Sequence, residues 1–529
     1  MPINFKFIVF IVFLFINYRV IAQPNASPVN EIVIQTESGK VRGRMEKKFV
    51  VFKNIPYAAP PAGDLYFAAP VKHRVWNEIR DATKSGPTAP FIKPKEVDID
   101  DKPIFGNGWI KGSDYLTVNI WAPRKSNRGA PVMVFIHGGA FVLGTADVPM
   151  YDGASFAKKG IVLVTLNYRL GIEGFLKING VPTNLGIRDQ IAALQWVKDN
   201  IASFGGDPSN VTIFGESAGA MAVGVLIVCP AAKGLFTRAI MLSGSAQSVL
   251  SSEQADIITG AYTKTLKIEN TREAWLKFTP EQLLHAQGQV KSKSLKLKTK
   301  EYEDPTGGLV LFYPVIDGDI VPDIPLKEIE KGAAKTTDLL IGYNTDEMNY
   351  FLIPSGLQKK IKLNLILNIA VKKVHPAPSA IISVYKAQYP KKKLGEIFSA
   401  ITTAYQFQVP AIRIAELQAK QNDRTYMYEF NWKSSVSNGT YGAYHGIGLP
   451  FLFNHLKIVT GVRGMLGPNG ASEQLADKIQ DAFIAFAKNG SPGWETYNNT
   501  EHKTMLINNT WILQRNPHEK EIISWDVVR

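Results

Sequence analysis

Between residues 131 and 245 short apolar runs alternate with segments of helical period, and this alternation constrains the fold more than any other feature. PVMVFI (131–136), IVLVTLNYRL (161–170), VTIF (211–214) and TRAIMLSGS (237–245) read as strands. Between them, IRDQIAALQWVKDNIASF (187–204) puts Ile187, Ile191, Leu194, Val197 and Ile201 on one helical face, and SAGAMAVGVLIV opens a second helix. Nearly unbroken apolar strands joined by helices need a mostly parallel sheet covered on both faces, so the expected class is α/β. LLIGYN (339–344) and TYMYEFNW (425–432) extend the strand series. The stretches from about 250 to 335 and from 356 to 424 read as helices and loops that cover one end of the sheet. With no linker-like tract and no internal repeat, residues 23–529 read as a single domain.

Composition narrows the choice of partner. The chain is 45% hydrophobic and 20% charged, which excludes global disorder. A net charge of +14 raises the question of nucleic acid, but no basic–aromatic recognition module appears. The lysine-rich stretches at 291–300 and 391–393 read as solvated faces. At the N-terminus, Lys6 precedes the ten-residue apolar run FIVFIVFLFI (7–16), and Val20 and Ala22 suit a signal-peptidase site. That run is half the roughly 20 residues needed to cross a bilayer, so 1–22 reads as a signal peptide cleaved after Ala22. The expectation is a secreted protein with no membrane span. The one cysteine, Cys229, lies in an apolar run and reads as a buried, inert thiol; no internal disulfide can form.

The chemistry centres on Gly215-Glu216-Ser217-Ala218-Gly219, a G-x-S-x-G between a predicted strand and a predicted helix. A strand that turns abruptly into a helix leaves its turning residue in a strained conformation, and side chains two positions either side would clash. The Ser217 hydroxyl is thereby presented beyond the sheet edge as a nucleophile. HGGA (137–140) follows another strand, where Gly138 and Gly139 let the main chain approach a substrate oxygen. Their N–H groups and that of Ala218 would form an oxyanion hole. Of eight histidines, His445 in GAYHGIGLPF has the glycine-flanked loop that presents a base. The third member should fall between Ser217 and His445, where the strand DLLIGYNTDE ends at Asp346-Glu347; spacing leaves both carboxylates open.

These residues resemble the carboxylesterase/cholinesterase family (type-B carboxylesterases) of the α/β-hydrolase fold. The likeness runs from SGKVRG (38–43) and FKNIPYAAPPAGDL (52–65) through SDYLTVNIWAP (113–123), HGGAF, NYRLGIEGF and GESAGA to GYNTDE, the His445 loop and Trp525. It implies Ser217 as nucleophile, Glu347 rather than Asp346 as acid, His445 as base, and Gly138, Gly139 and Ala218 as oxyanion donors. It also implies that Ser243 supports Glu347 by a hydrogen bond. The implied activity is hydrolysis of small-molecule carboxylic esters with no cofactor and no metal. A catalytically silent adhesion protein of the same fold, a lipase and a cholinesterase are the alternatives. Departures from the family pattern are Tyr66 in place of an Arg, Ser113 and Tyr115 in place of a Glu and a disulfide Cys, Met348 in place of a glycine, and Gly448 in place of an acid. The missing Arg and Glu normally pair, so their joint loss reads as one consistent replacement.

Overall fold

The computed structural model describes residues 31–95, 98–124, 129–245, 247–299, 304 and 310–527; the leader expected over 1–22 lies outside them. Its strands are β1 (Glu31–Thr36), β2 (Gly39–Met45), β3 (Phe49–Pro56), the two-residue β4 (Arg80–Asp81), β5 (Thr117–Pro123), β6 (Ala130–Ile136) and β7 (Val162–Leu166). They continue as β8 (Gly206–Glu216), β9 (Arg238–Leu242), β10 (Asp338–Asn344), β11 (Thr425–Phe430), β12 (Thr504–Ile507) and β13 (Ile512–Gln514). All join one sheet in the order β1-β2-β3-β5-β7-β6-β8-β9-β10-β11-β12-β13, with β4 beside β2. From β7 across to β12 every neighbouring pair is parallel. The flanks, from β1 to β7 through β5 and from β12 to β13, are antiparallel.

The period-two alternation of the central strands builds two cores. Val132, Val134 and Ile136 of β6 pack on one face with Val164 of β7 and Ile213 of β8. Met133 and Phe135 of β6 pack on the other with Leu163 and Phe214. A strand buried on both sides cannot alternate polar and apolar residues, which is why these segments read as continuous apolar runs. The expected helix at 187–204 is found at Leu185–Asn200, followed by a tighter turn at Ile201–Phe204. The described parts of 250–335 fold as helices and loops, as does the stretch from Asn349 to Ala419. What sequence reading did not mark is the antiparallel N-terminal flank and the short β12–β13 edge. β2 alternates buried and exposed positions and carries Lys40, Arg42 and Arg44, so its apolar signal is weak.

Two buried ionic clusters tie these layers together. Arg169 is wholly buried and holds Asp189 through its Nε (2.8 Å) and Nη2 (2.6 Å). Nearby, Tyr66 Oη donates to Glu173 Oε1 at 2.7 Å and Tyr115 Oη donates to Glu173 Oε2 at 2.8 Å. Tyr66 and Tyr115 are two of the positions where this chain departs from the family pattern it resembles, and both departures converge on one buried carboxylate. Burial raises the Glu173 pKa against the lowering effect of the two hydroxyls.

Candidate active site

Ser217 sits between the end of β8 and the helix Ala218–Leu226, with φ 55° and ψ −123°. This is a strained conformation for a residue with a side chain, and the two glycines make it attainable. A Cβ on Gly215 would lie 2.3 Å from the carbonyl carbon of Gly219, and one on Gly219 would lie 2.0 Å from the Ile136 carbonyl oxygen. Ser217 N–H donates to Leu242 O, which fastens the turn to β9.

HGGA forms the facing wall. His137 is buried, stacks on Tyr168 at 4.6 Å, and has its Nδ1 2.8 Å from the Gly138 carbonyl. Burial pulls its pKa down to about 4, so the ring is neutral and supports the loop rather than titrating. Gly139 has φ 108°, and a Cβ there would sit 2.0 Å from Leu143 O. Among the described residues, the N–H groups of Gly138 and Gly139 donate to no protein acceptor. Ala218 begins its helix, so its N–H has no intrahelical partner. All three residues line one 250 Å³ cavity together with Ser217 and His445.

Glu347 is fully buried just past the tip of β10. Its Oε1 accepts from Asn344 N–H at 2.7 Å and its Oε2 lies 2.7 Å from His445 Nδ1. The residue beside it, Asp346, points elsewhere: it accepts from Ala443 N–H and lies 3.8 Å from Lys392. Ser243 makes no hydrogen bond to Glu347; its N–H donates to Gly342 O.

The far nitrogen of His445 faces an unexpected group. Nε2 lies 3.3 Å from Glu216 Oε1, and no hydrogen bond joins the Ser217 hydroxyl to the ring among the described residues. Glu216 Oε1 is buried and has no hydrogen-bond partner. Burial pushes the Glu216 pKa up to about 7, against the lowering pull of His445. Burial alone would depress His445, but Glu216 and Glu347 outweigh it and hold its pKa above the usual histidine value. A separate 20 Å³ cavity adjoins Glu216, lined also by Ser243, Asn344 and Gly448. Gly448 stands where the family has an acid, and a Cβ there would meet nothing within 4 Å.

Aromatic rings close the site around His445. Phe407 lies 5.0 Å from the imidazole and Phe351 5.3 Å. Phe407 is carried by a π-helical turn, Ala404–Gln408, an uncommon winding that recurs at functional sites. Sequence reading missed Phe407 and Glu216. The first has no motif; the second was in plain view inside GESAG, but where its side chain points depends on the tertiary turn.

The match to known proteins covers nearly the whole chain. The carboxylesterase family model spans residues 30–525. The chain belongs to the carboxylesterase family. It is 35% identical to para-nitrobenzyl esterase of Bacillus subtilis, over 92% of this chain and 97% of that protein. Cholinesterase of Mus musculus is 29% identical, over 90% of this chain and 83% of that one. In three dimensions it matches a carboxylesterase of Geobacillus stearothermophilus with a TM-score of 0.79 at 33% identity, covering 93% of this chain and all of the other. A carboxylesterase of this fold is a carboxylic ester hydrolase, with a mostly parallel sheet framed by helices.

Proposed function

We propose that this carboxylesterase cleaves its esters by acyl transfer through Ser217, His445 and Glu347. The observation that carries the proposal is the 2.7 Å contact between His445 Nδ1 and the fully buried Glu347, in a cavity that also exposes Ser217 and three uncommitted N–H groups. Glu347 fixes the tautomer with hydrogen on Nδ1, which leaves Nε2 as the base. On substrate binding the ring turns Nε2 from Glu216 towards the serine. Nε2 takes the hydroxyl proton as Oγ bonds to the ester carbonyl carbon. The carbonyl oxygen gains the negative charge and is met by the N–H groups of Gly138, Gly139 and Ala218, where losing one donor typically costs about 3–4 kcal/mol. The tetrahedral intermediate expels the alkoxide, which leaves as alcohol with the proton from Nε2. Water, deprotonated by the same nitrogen, then hydrolyses the acyl-serine and releases the acid.

The cavity wall favours apolar esters of modest size. Tyr313, Tyr350, Phe351 and Phe407 contribute four aromatic rings to a volume of 250 Å³. The name of the Bacillus relative points to esters of aromatic alcohols. Such a ring would find stacking partners here. Export belongs to the same proposal, resting on the leader pattern over residues 1–22; N-terminal sequencing of protein from culture medium should begin at Gln23.

Ser217→Ala is expected to cut kcat on p-nitrophenyl butyrate by several orders of magnitude and to abolish labelling by a fluorophosphonate. A purified, folded variant with wild-type turnover would refute the assignment. Acetyl- and butyrylthiocholine in the same substrate panel distinguish a general esterase from a choline-selective one.

A further inference from the structure

The helical excursion that follows Glu347 is chemically unlike the rest of the chain. Between residues 354 and 393 there are nine lysines and no aspartate or glutamate, against a net charge of +14 for all 529 residues. Within it the helix Asn364–Val371 is apolar on two faces. One face packs inward, with Leu367 and Val371 wholly buried. The other is open: Leu365 is 70% exposed, Ile369 59% and the preceding Leu363 61%. Burying such side chains is favourable, so a soluble protein rarely leaves three together without a use for them.

Lysines flank this face at both ends. Lys359, Lys360 and Lys362 precede the helix and Lys372 and Lys373 follow it; all five are exposed, and none has an ion-pair partner among the described residues. Alongside, Lys386 Nζ donates to Asn364 Oδ1 at 2.7 Å, which places a further cation at the helix start. The segment carries no Asn-x-Ser/Thr sequon, so no glycan would shield it. The lysine run at 391–393 is only partly a solvated face. Lys392 is drawn inward, 3.8 Å from Asp346 and over the Tyr389 ring.

We propose that this face docks the enzyme on a lipid–water interface bearing anionic headgroups. Exposed Leu and Ile side chains enter the acyl boundary while the lysines meet lipid phosphates and carboxylates, the division of labour of an interfacial amphipathic helix. A second copy of the chain is disfavoured as occupant, because a self-complementary contact would bring two acid-free, lysine-rich segments together. Docking would also hold the enzyme where apolar esters concentrate. The helix Asn349–Leu352, whose Tyr350 and Phe351 line the catalytic cavity, leads directly into the docking segment.

The test is flotation of the full exported chain with vesicles of phosphatidylcholine alone and of phosphatidylcholine doped with phosphatidylserine. The wild type is expected to float with the doped vesicles and much less with the neutral ones. Raising salt from 0.1 M to 1 M, which shortens the screening length from about 10 Å to about 3 Å, should release it. Each lysine brought to such a surface is worth roughly fivefold in partition, so Lys359→Glu/Lys360→Glu/Lys362→Glu should lose about a hundredfold or more. Leu365→Asp/Ile369→Asp should lose binding at any salt. Turnover of soluble p-nitrophenyl acetate is expected to stay at the wild-type level in both variants, which checks folding and reads the catalytic assignment separately from docking. Should the Asp variant fail that check, the lysine variant decides. Wild type that floats with neither vesicle, or variants that float as well as wild type, would overturn the proposal. A wild-type dimer that ignores vesicles and dissociates in Leu365→Asp/Ile369→Asp would overturn it in favour of self-association.

Discussion

Tyr115→Phe removes one of the two hydroxyls that hold the Glu173 carboxylate in the interior, without changing the ring that packs beside it. Tyr115 is 3% exposed and Glu173 6%, so no water is at hand to replace the lost donor. A hydrogen bond to a charged group contributes about 1.5–3 kcal/mol, and a buried acceptor left short of a partner pays its desolvation in full. The expected loss is therefore about 2–3 kcal/mol in urea-unfolding free energy. Tyr66→Phe should cost less, about 1 kcal/mol, because Tyr66 is only half-buried and water can stand in. The sign of the pH dependence follows from burial. Glu173 has a raised pKa when folded, so its ionisation favours the unfolded chain as pH climbs from the ordinary carboxylate range towards that raised value. Both hydroxyls lower the Glu173 pKa; losing one extends this window upward, and the deficit should grow from acid to neutral pH. Adding Glu173→Gln to Tyr115→Phe removes the charge and should restore at least half of the loss. An unfolding free energy equal to wild type at neutral pH, or a deficit that shrinks as pH rises, would refute the pairing.

Three further outcomes concern the catalytic centre. Glu347→Gln should lower kcat by roughly 10⁴ with little change in KM, because an amide no longer fixes the His445 tautomer; steady-state kinetics on p-nitrophenyl butyrate checks it. Glu216→Gln removes a charge that raises the His445 pKa, so the acid limb of kcat/KM should move to lower pH; a limb that stays or moves up would show that the two groups do not interact. Gly219→Ala would place a Cβ 2.0 Å from Ile136 O and should cost roughly 1–3 kcal/mol of stability together with activity, seen in urea unfolding and ester turnover.

The legible parts of this protein are those where the constraint is local. The turn at Ser217 announces itself because its geometry excludes side chains at 215 and 219, and β6 and β8 announce themselves because strands buried on both faces have no polar positions. The likeness to the family separated Glu347 from its neighbour Asp346, and the coordinates give the physical difference: Glu347 turns inward to His445, Asp346 outward towards Lys392. Contacts between distant residues were closed to inspection. Tyr66 and Tyr115 lie 107 and 58 residues from Glu173, so two apparently separate departures revealed their common partner only in space. Glu216 shows the same limit at short range, since a residue within the motif itself faces His445. The N-terminal flank was missed because β2 is half exposed and charged, and an edge needs no continuous apolar run.

Cys229 bears on how the molecule can be handled. It is 3% exposed, and burial raises its pKa, which keeps the thiol protonated and out of reach of alkylating reagents while the chain is folded. With no other cysteine in the sequence, a thiol introduced anywhere on the surface would be the only reactive one. A dye or spin label attached at a chosen surface position would therefore report from a single, known address.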